Sequence, residues 1–119
     1  MGVIMYTENH DGIFKYLDCS TVHVRPKDMD LLTIAESLVT IQHKYGAFVN
    51  VPNPDEEGEA LYDRIREEGF SEDFIKILNF AYANDCYWMN FDADGIMHHD
   101  FNNFSALWET ESVSCSSRT

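Results

Sequence analysis

Residues 71–91 read SEDFIKILNFAYANDCYWMNF and combine a helix signal with a strand signal. Ser71 is a favourable N-cap residue, and Glu72 and Asp73 place carboxylates in the first turn, at the positive end of the helix. The pattern predicts a helix over Glu72–Asn84, and the aromatic-rich CYWMNF predicts a strand over Cys86–Phe91. The apolar face of the helix has the spacing of 3.6 residues per turn and consists of Phe74, Ile75, Leu78, Ala81 and Tyr82.

The segments on either side supply the other elements. β-Branched residues predict a strand near Cys19–Val24, and apolar residues at helical spacing predict a helix over Lys27–Tyr45, with Gly46 as its C-terminal stop. Ala47–Val51 is predicted as a strand before the loop PNPDEEG, and a thin apolar stripe predicts an acidic helix over Glu57–Glu68. Two hairpins are expected, one pairing Val3–Tyr6 with Ile13–Leu17 and the other pairing the 86–91 strand with Ile96–Phe101.

This order of elements predicts an α+β fold, in which a small mixed or antiparallel sheet is packed on one face by two to three helices. A chain of 119 residues, 45% of them hydrophobic, has the length and composition of one domain with its own core. We expect a single α+β domain over residues 1–111 and a flexible C-terminal tail over residues 112–119.

The charge balance narrows the class of partner. Twenty-one acidic and eight basic residues give a net charge of −13. Nucleic acid and anionic membrane surfaces repel such a chain, so we expect direct contact with neither. High solubility by itself explains this composition, and a basic protein partner is the functional alternative.

Cysteine usage and hydropathy indicate a reducing compartment. Cys19, Cys86 and Cys115 are odd in number and show no C-x₂-C spacing, which argues against a disulfide framework and against a zinc site. No apolar run approaches the roughly 18 residues of a membrane span, and MGVIMYTENH lacks the regions of a signal peptide. We therefore expect a cytoplasmic protein.

Residues 90–100, NFDADGIMHHD, concentrate carboxylates and histidines. Their start resembles a calcium-binding EF-hand loop, but the twelfth position is Phe101 instead of a Glu, and a strand precedes the loop. One interpretation is a turn at Asp94–Gly95 with Asp92 bonded to turn amides, which we favour. The alternative is a small metal-dependent enzyme or ligand-binding protein that uses Asp92, Asp94, His98 and Asp100.

Other catalytic arrangements find little support. Cys19 and Ser20 lie close to His23, but residues so near along one strand do not form a nucleophile–base pair. The chain has no phosphate-binding, zinc-protease or nucleophile-elbow motif. We predict no enzymatic activity, no cofactor and no metal. The aromatics are expected in the core and not as a base-stacking platform, since no Lys or Arg lies beside Tyr82, Tyr87, Trp88 and Phe91.

The densest charge lies in residues 55–73, where nine acids occur in nineteen residues against Arg64 and Arg66. Carboxylates on a rigid scaffold can imitate the charge density of duplex DNA, about one negative charge per 1.7 Å of helix axis. The predicted partner-binding residues are Asp55, Glu56, Glu57, Glu59, Asp63, Glu67, Glu68, Glu72 and Asp73.

Three stretches, STVHVRPKDMDLL, YGAFVNVP and FIKILNFAYANDCYWMNFDADG, carry a resemblance to a known family. The chain resembles, over about Ser20 to Trp108, a family of small uncharacterised proteins carried by bacterial phages and plasmids. The resemblance implies a mobile-element origin and a bacterial cytosol, and it assigns no activity and no residue roles. The long PNPDEEGE loop departs from the family pattern.

These features together predict a non-enzymatic interaction protein. It would bind a basic nucleic-acid-binding host protein, such as a CRISPR defence complex, and block its nucleic-acid site by mimicry. The metal-dependent alternative remains open at this point. So does a structural homodimer formed through Trp88 and Trp108.

Overall fold

The computed structural model describes residues 12–58 and 60–109. Two short helical segments lie outside the numbered elements. They are a 3₁₀-helix over Thr21–His23 and a helical turn over residues 105–109. The predicted α+β class is confirmed. The other elements, in chain order, are β1 (Tyr16–Ser20), α1 (Pro26–Leu31), β2 (Thr40–His43), β3 (Gly46–Asn50), α2 (Pro54–Glu57), α3 (Leu61–Glu67), α4 (Glu72–Ala83) and β4 (Trp88–Asp92).

The strands of the described ranges form one mixed sheet in the order β1-β4-β3-β2. β4 is central, parallel to β1 and antiparallel to β3, so that Met89 lies opposite both Leu17 and Val49. β2 and β3 form an antiparallel hairpin in which His43 pairs with Gly46. The parallel pair β1–β4 requires a crossover, which the helices between them supply.

One face of the sheet carries the core, because side chains alternate between faces along each strand. The buried strand residues are Leu17, Cys19, Ala47, Val49, Met89 and Phe91. Against them pack the buried residues of α3 and α4, and the rings of Phe74 and Phe91 stack at 5.8 Å between centroids. The helices therefore cover one face of the sheet, as predicted.

The elements predicted from residues 71–91 are confirmed. α4 begins after Ser71, whose Oγ accepts the Phe74 N–H at 3.2 Å as an N-cap. β4 overlaps the predicted strand. The acidic helix is shorter than predicted and begins at Leu61, because PNPDEEG contains the separate one-turn helix α2.

The helix predicted over Lys27–Tyr45 is wrong beyond Leu31. α1 ends at Leu31, and residues 40–43 form the edge strand β2. Pairing with β3 gives Thr40 and Ile41 a ladder of hydrogen bonds, and such β-branched residues suit a strand. Gly46 is a strand residue and not a helix stop.

Two strand predictions also need correction. The first strand runs over Tyr16–Ser20, and its end is a 3₁₀-turn because the Ser20 Oγ accepts the Val22 N–H at 3.3 Å. Ile96–Phe101 forms no hairpin with β4, whose antiparallel partner is β3. Instead the Ile96 carbonyl accepts the Ser20 N–H at 2.9 Å, so this segment covers the outer edge of β1.

Some predictions fall outside the described residues. These are the first strand of the N-terminal hairpin, Val3–Tyr6, and the tail over residues 112–119, together with the domain boundary at residue 111. Within the described ranges, no helix combines the length and apolar character needed to cross a membrane.

Candidate functional site

The predicted partner-binding acids lie on α2, α3 and the start of α4, the helical side of the molecule. Their distribution follows from the local sequence. Pro54 begins α2 and Ser71 caps α4, so acids directly after them fall in first turns, where the helix dipole favours them. Glu59 lies outside the described residues.

Arg66 neutralises part of this surface. Its guanidinium contacts Glu72 at 2.6 Å through Nε and Asp63 at 3.3 Å through Nη1. The hydrogen bond from Arg66 lowers the pKa of the exposed Glu72 carboxyl. The charges of Asp63 and Glu72 are therefore partly neutralised within the chain.

Asp73 and Asp55 are also engaged. Asp73 lies 3.6 Å from the Arg25 guanidinium and accepts a 2.7 Å hydrogen bond from the Asn102 side-chain amide. Asp55 accepts a hydrogen bond from the Tyr82 hydroxyl at 3.2 Å. The nine acids therefore do not form one uniform row of unpaired carboxylates.

Three of the predicted acids converge on one concave surface, which we call the acidic groove. It has a volume of about 580 Å³ and lies between α3 and the turn before β2. The sequence did not single out Glu36, which lies 32 residues before Glu68 in the chain and reaches the groove through the turn before β2. Its lining residues are Glu36, Ser37, Glu57, Arg64, Glu67 and Glu68.

Glu68 organises the groove. Its Oε2 accepts the backbone N–H groups of Glu36 at 3.2 Å and of Ser37 at 3.0 Å, and so fixes the turn against the end of α3. Its Oε1 is buried and has no hydrogen-bond partner among the described residues. A buried carboxylate oxygen without a donor is energetically unfavourable, which gives this site an unused acceptor.

The electrostatics of the groove favour a cation. Four glutamates face one arginine, and Arg64 already contacts Glu57 at 3.3 Å. Glu36 and Glu67 are exposed, and their carboxylates make no hydrogen bond or ion pair with the described part of the chain. Lysine and arginine side chains carry donors that match such acceptors.

The stretch NFDADGIMHHD forms a turn. The Gly95 N–H donates to the Asp92 carbonyl at 2.9 Å, and the Asp94 N–H donates to Asp92 Oδ1 at 2.7 Å. The predicted bond from Asp92 to a turn amide is thus confirmed, although the positive φ angles of a two-residue hairpin are absent at Asp94 and Gly95.

The proposed metal shell does not assemble. The ring of His98 donates from Nε2 to the Asp18 carbonyl at 2.7 Å and so holds the edge of β1. In residues 12–58 and 60–109, no three histidine, cysteine or acidic side chains lie close enough together to hold a metal ion. Asp92 and His98 therefore make structural hydrogen bonds, whereas Asp94 and Asp100 are exposed.

His23 and Cys19 are built into the interior. His23 Nε2 accepts the His98 backbone N–H at 2.8 Å, so its Nδ1 carries the proton and donates to the Asn102 carbonyl at 2.7 Å. Burial, followed by the nearby charge of Asp18, raises the pKa of the Cys19 thiol to about 12. Neither group is set up as a nucleophile or a base.

The aromatics singled out in the sequence do not form one platform. The prediction that these four aromatics are core residues is correct only for Phe91. Tyr87 is exposed, Tyr82 is half-buried, and Trp88 lies half-buried on the opposite face of the sheet. There it meets Phe48 at 6.5 Å, and Phe48 in turn meets Tyr16 at 6.2 Å between ring centroids. The alternation in GAFVN and WMNF is the signal that could have found this cluster, once β3 and β4 are paired.

The two tryptophans of the predicted homodimer have different surroundings. Trp88 belongs to the aromatic cluster on the sheet, whereas the Trp108 indole donates to the Val24 carbonyl at 2.9 Å. The homodimer stays a prediction, which sedimentation of the purified protein would check.

Comparison with known proteins places the chain in a family. Residues 16–106, more than half of the chain, match the model of the C-terminal domain of DUF5983, a family of unknown function. No curated protein and no solved structure matches the chain. The expected membership in an uncharacterised family is therefore confirmed. The chain belongs to the DUF5983 family, over its C-terminal domain.

Proposed function

We propose that this protein is a non-enzymatic interaction protein that binds a basic nucleic-acid-binding protein and blocks its nucleic-acid site. The observation that carries the proposal is the acidic groove. There the fold collects Glu57, Glu67 and Glu68 with Glu36, and of these four only Glu57 contacts an arginine, whereas Asp63 and Glu72 nearby are both paired with Arg66.

The groove has the properties that a basic partner requires. It is concave and holds four carboxylates against one guanidinium. Opposite charges attract before contact, so the net charge of −13 would speed encounter with a basic surface, and most strongly at low salt. A lysine or arginine entering the groove would offset the mutual repulsion of the glutamates.

The setting we propose is a bacterial cytoplasm and a phage or plasmid origin. In that setting the partner would be a host defence protein that binds nucleic acid, such as CRISPR machinery. Exposed acids around the groove, including Glu56 and Glu67, would occupy positions that phosphates take in the partner's channel. The inhibition would need no chemical step by this protein.

Capture from a bacterial lysate tests the proposal. The tagged protein is incubated with nuclease-treated lysate, washed, and eluted with a salt gradient, and eluted proteins are identified by mass spectrometry. A groove variant, Glu36→Lys with Glu67→Lys, is compared with a control variant, Asp30→Lys with Asp94→Lys. Both variants change the net charge from −13 to −9, since each replacement adds two positive charges.

We expect the wild type and the control variant to retain one basic nucleic-acid-binding protein, which salt releases and excess duplex DNA displaces. The groove variant should lose that protein. Equal capture by the two variants would show that the groove is not the binding site. Capture that duplex DNA leaves intact would contradict occupation of the partner's nucleic-acid site.

A further inference from the structure

A second cavity, which we call the tyrosine pocket, lies at the C-terminal end of α4. Its volume is about 360 Å³, within the range of small-ligand sites. The walls include apolar groups from Val51 and Ala83 and the rings of Tyr82 and Tyr87. Asn53 and Asp85 add polar groups. The pocket is separate in residues from the acidic groove, with which it shares no lining residue.

The end of α4 makes this pocket electronegative. The last carbonyls of a helix carry a partial negative charge, and Asp85 adds a full charge immediately beyond them. An ammonium already binds at this helix end, because Lys15 Nζ donates to the Asn84 carbonyl at 2.8 Å. The helix end beside the pocket therefore accommodates a positively charged nitrogen, although neither Lys15 nor Asn84 lines the pocket itself.

Asp85 is an unfavourable residue for folding at its position. Its φ of +64° lies in the left-handed region, where glycine is more favourable, and its charge opposes the helix dipole. Its carboxylate makes no hydrogen bond or ion pair with the residues that the structure describes. Aspartate adopts this backbone conformation more readily than most residues other than glycine. The Asp85 carboxylate therefore leaves an unpaired negative charge at the pocket.

Tyr82 joins the pocket to the acidic helix α2. Its hydroxyl lies 3.2 Å from both Asn53 Oδ1 and Asp55 Oδ2, which orients the ring beside a second carboxylate. Desolvation first, and then the hydrogen bond to Asp55, raise the pKa of the Tyr82 phenol. Neutral tyrosine rings near carboxylates attract cations through their faces.

We propose that the tyrosine pocket binds an alkylammonium group, with its methylene chain against Val51 and Ala83 and its nitrogen near Asp85. We choose an ammonium because the structure already holds one at this helix end, where Lys15 Nζ donates to the Asn84 carbonyl. The source is a lysine side chain or a free diamine. A lysine source rests on the proposed function, since it would anchor the basic partner.

Nuclear magnetic resonance of the isotopically labelled protein tests this pocket without the partner. N-acetyl-lysine N-methylamide, cadaverine and the uncharged N-acetyl-norleucine N-methylamide are titrated separately, and amide shifts are followed. We expect the lysine derivative to shift amides around Val51, Ala83 and Tyr87, with little effect from the norleucine derivative. Cadaverine binding as tightly as the lysine derivative would identify a free amine as the source, and weaker cadaverine binding would identify a protein lysine.

Two variants complete the test. Asp85→Asn keeps a residue that tolerates positive φ and should weaken amine binding about tenfold. Asp100→Asn makes the same charge change on an exposed acid outside the pocket and should leave binding unchanged. Absence of shifts with both amines, equal shifts with norleucine, or equal loss in both variants would overturn the inference. None of these results depends on the lysate capture, so the two proposals fail separately.

Discussion

Cys19 shows how strongly the interior changes the chemistry of one residue. Its side chain lies on the core face of β1, and burial raises the pKa of the thiol from 9.0 to about 12. The negative charge of Asp18 contributes in the same direction. Folding therefore disfavours the thiolate, which the unfolded chain forms more easily.

This difference predicts a loss of stability at alkaline pH. The contribution of Cys19 to the free energy of unfolding is intact below the pKa of the thiol in the unfolded chain, near 9. It declines as the pH rises toward 12, because in this range the thiol ionises only in the unfolded chain. Between pH 8 and 10.5 the free energy of unfolding should fall by about 2 kcal/mol on account of Cys19. Urea denaturation at both pH values, under reducing conditions, measures the fall.

The matched comparison is between two single variants, Cys19→Ala and Cys86→Ala. The half-buried Cys86 thiol also has a raised pKa, from desolvation first, but it lies outside the core. Removing Cys19 should flatten the alkaline decline more than removing Cys86. An identical decline in the two variants would contradict the assignment to Cys19.

At the scale of elements, Asp28 joins α1 to α4. It is fully buried, and its two oxygens accept hydrogen bonds from the Ser71 N–H at 2.9 Å, the Ser71 hydroxyl at 2.7 Å and the Arg25 N–H at 3.1 Å. The carboxylate thus accepts hydrogen bonds both at the start of α1 and from the N-cap residue of α4. Asp28 and Ser71 lie 43 residues apart in the chain.

We predict that Asp28→Asn lowers the free energy of unfolding by about 3 kcal/mol, because an amide turns a donor toward groups that are themselves donors. Asp30→Asn, on the exposed side of the same helix, should change stability by less than about 0.5 kcal/mol. Chemical denaturation of the wild type and of the two variants measures these changes in the free energy of unfolding. Similar stability for both variants would show that the link between the helices contributes little.

The pairing of β3 with β4 depends on a glycine. A Cβ at Gly46 would lie 1.8 Å from the Phe91 carbonyl oxygen in the central strand. Gly46→Ala should therefore lower the free energy of unfolding by more than about 3 kcal/mol, since strand backbones would have to separate. Thermal and urea unfolding measure the loss.

Gly58→Ala is the control for the sheet glycine. Gly58 has a φ of +94°, and a Cβ there would meet no described atom within 4 Å. The variant should show only backbone strain, about 1–3 kcal/mol, because a φ of 94° with a ψ of 170° is a conformation that essentially only glycine adopts. Equal losses at Gly46 and Gly58 would mean that the close approach to Phe91 has no separate effect.

For the whole molecule, the net charge of −13 sets a self-repulsion that salt screens. We predict that raising sodium chloride from about 20 to 300 mM increases Tm by several degrees. The variant Glu36→Gln with Glu67→Gln removes two groove charges and should show a smaller increase. A Tm that falls with salt would indicate that pairs such as Arg66–Glu72 outweigh the repulsion.

Prediction from sequence succeeded where the signal was local and continuous. The Ser71 cap, the apolar face of α4, the aromatic-rich stretch of β4 and the short apolar stretch of β3 are local signals, and each element formed where expected. It failed at Lys27–Tyr45, where helical spacing of apolar residues competed with β-branched Thr40 and Ile41. The hairpin with β3 decided that competition, and periodicity within one segment contains no information on such pairing.

The candidate site shows the same division. The sequence predicted an acidic surface over residues 55–73, since charge density can be counted along the chain. Only the fold decided which acids are paired with arginines and which line the groove, because Glu36 and Arg25 come from distant segments.

The sequence by itself thus determined the α+β composition, the strongest helix and strands, and the negative charge, all of which depend on neighbouring residues. The tertiary structure decided the strand order β1-β4-β3-β2, the parallel pairing of β1 with β4, and the assembly of the groove and the tyrosine pocket. These features join groups that are remote in sequence, and their formation depends on burial and backbone pairing in three dimensions.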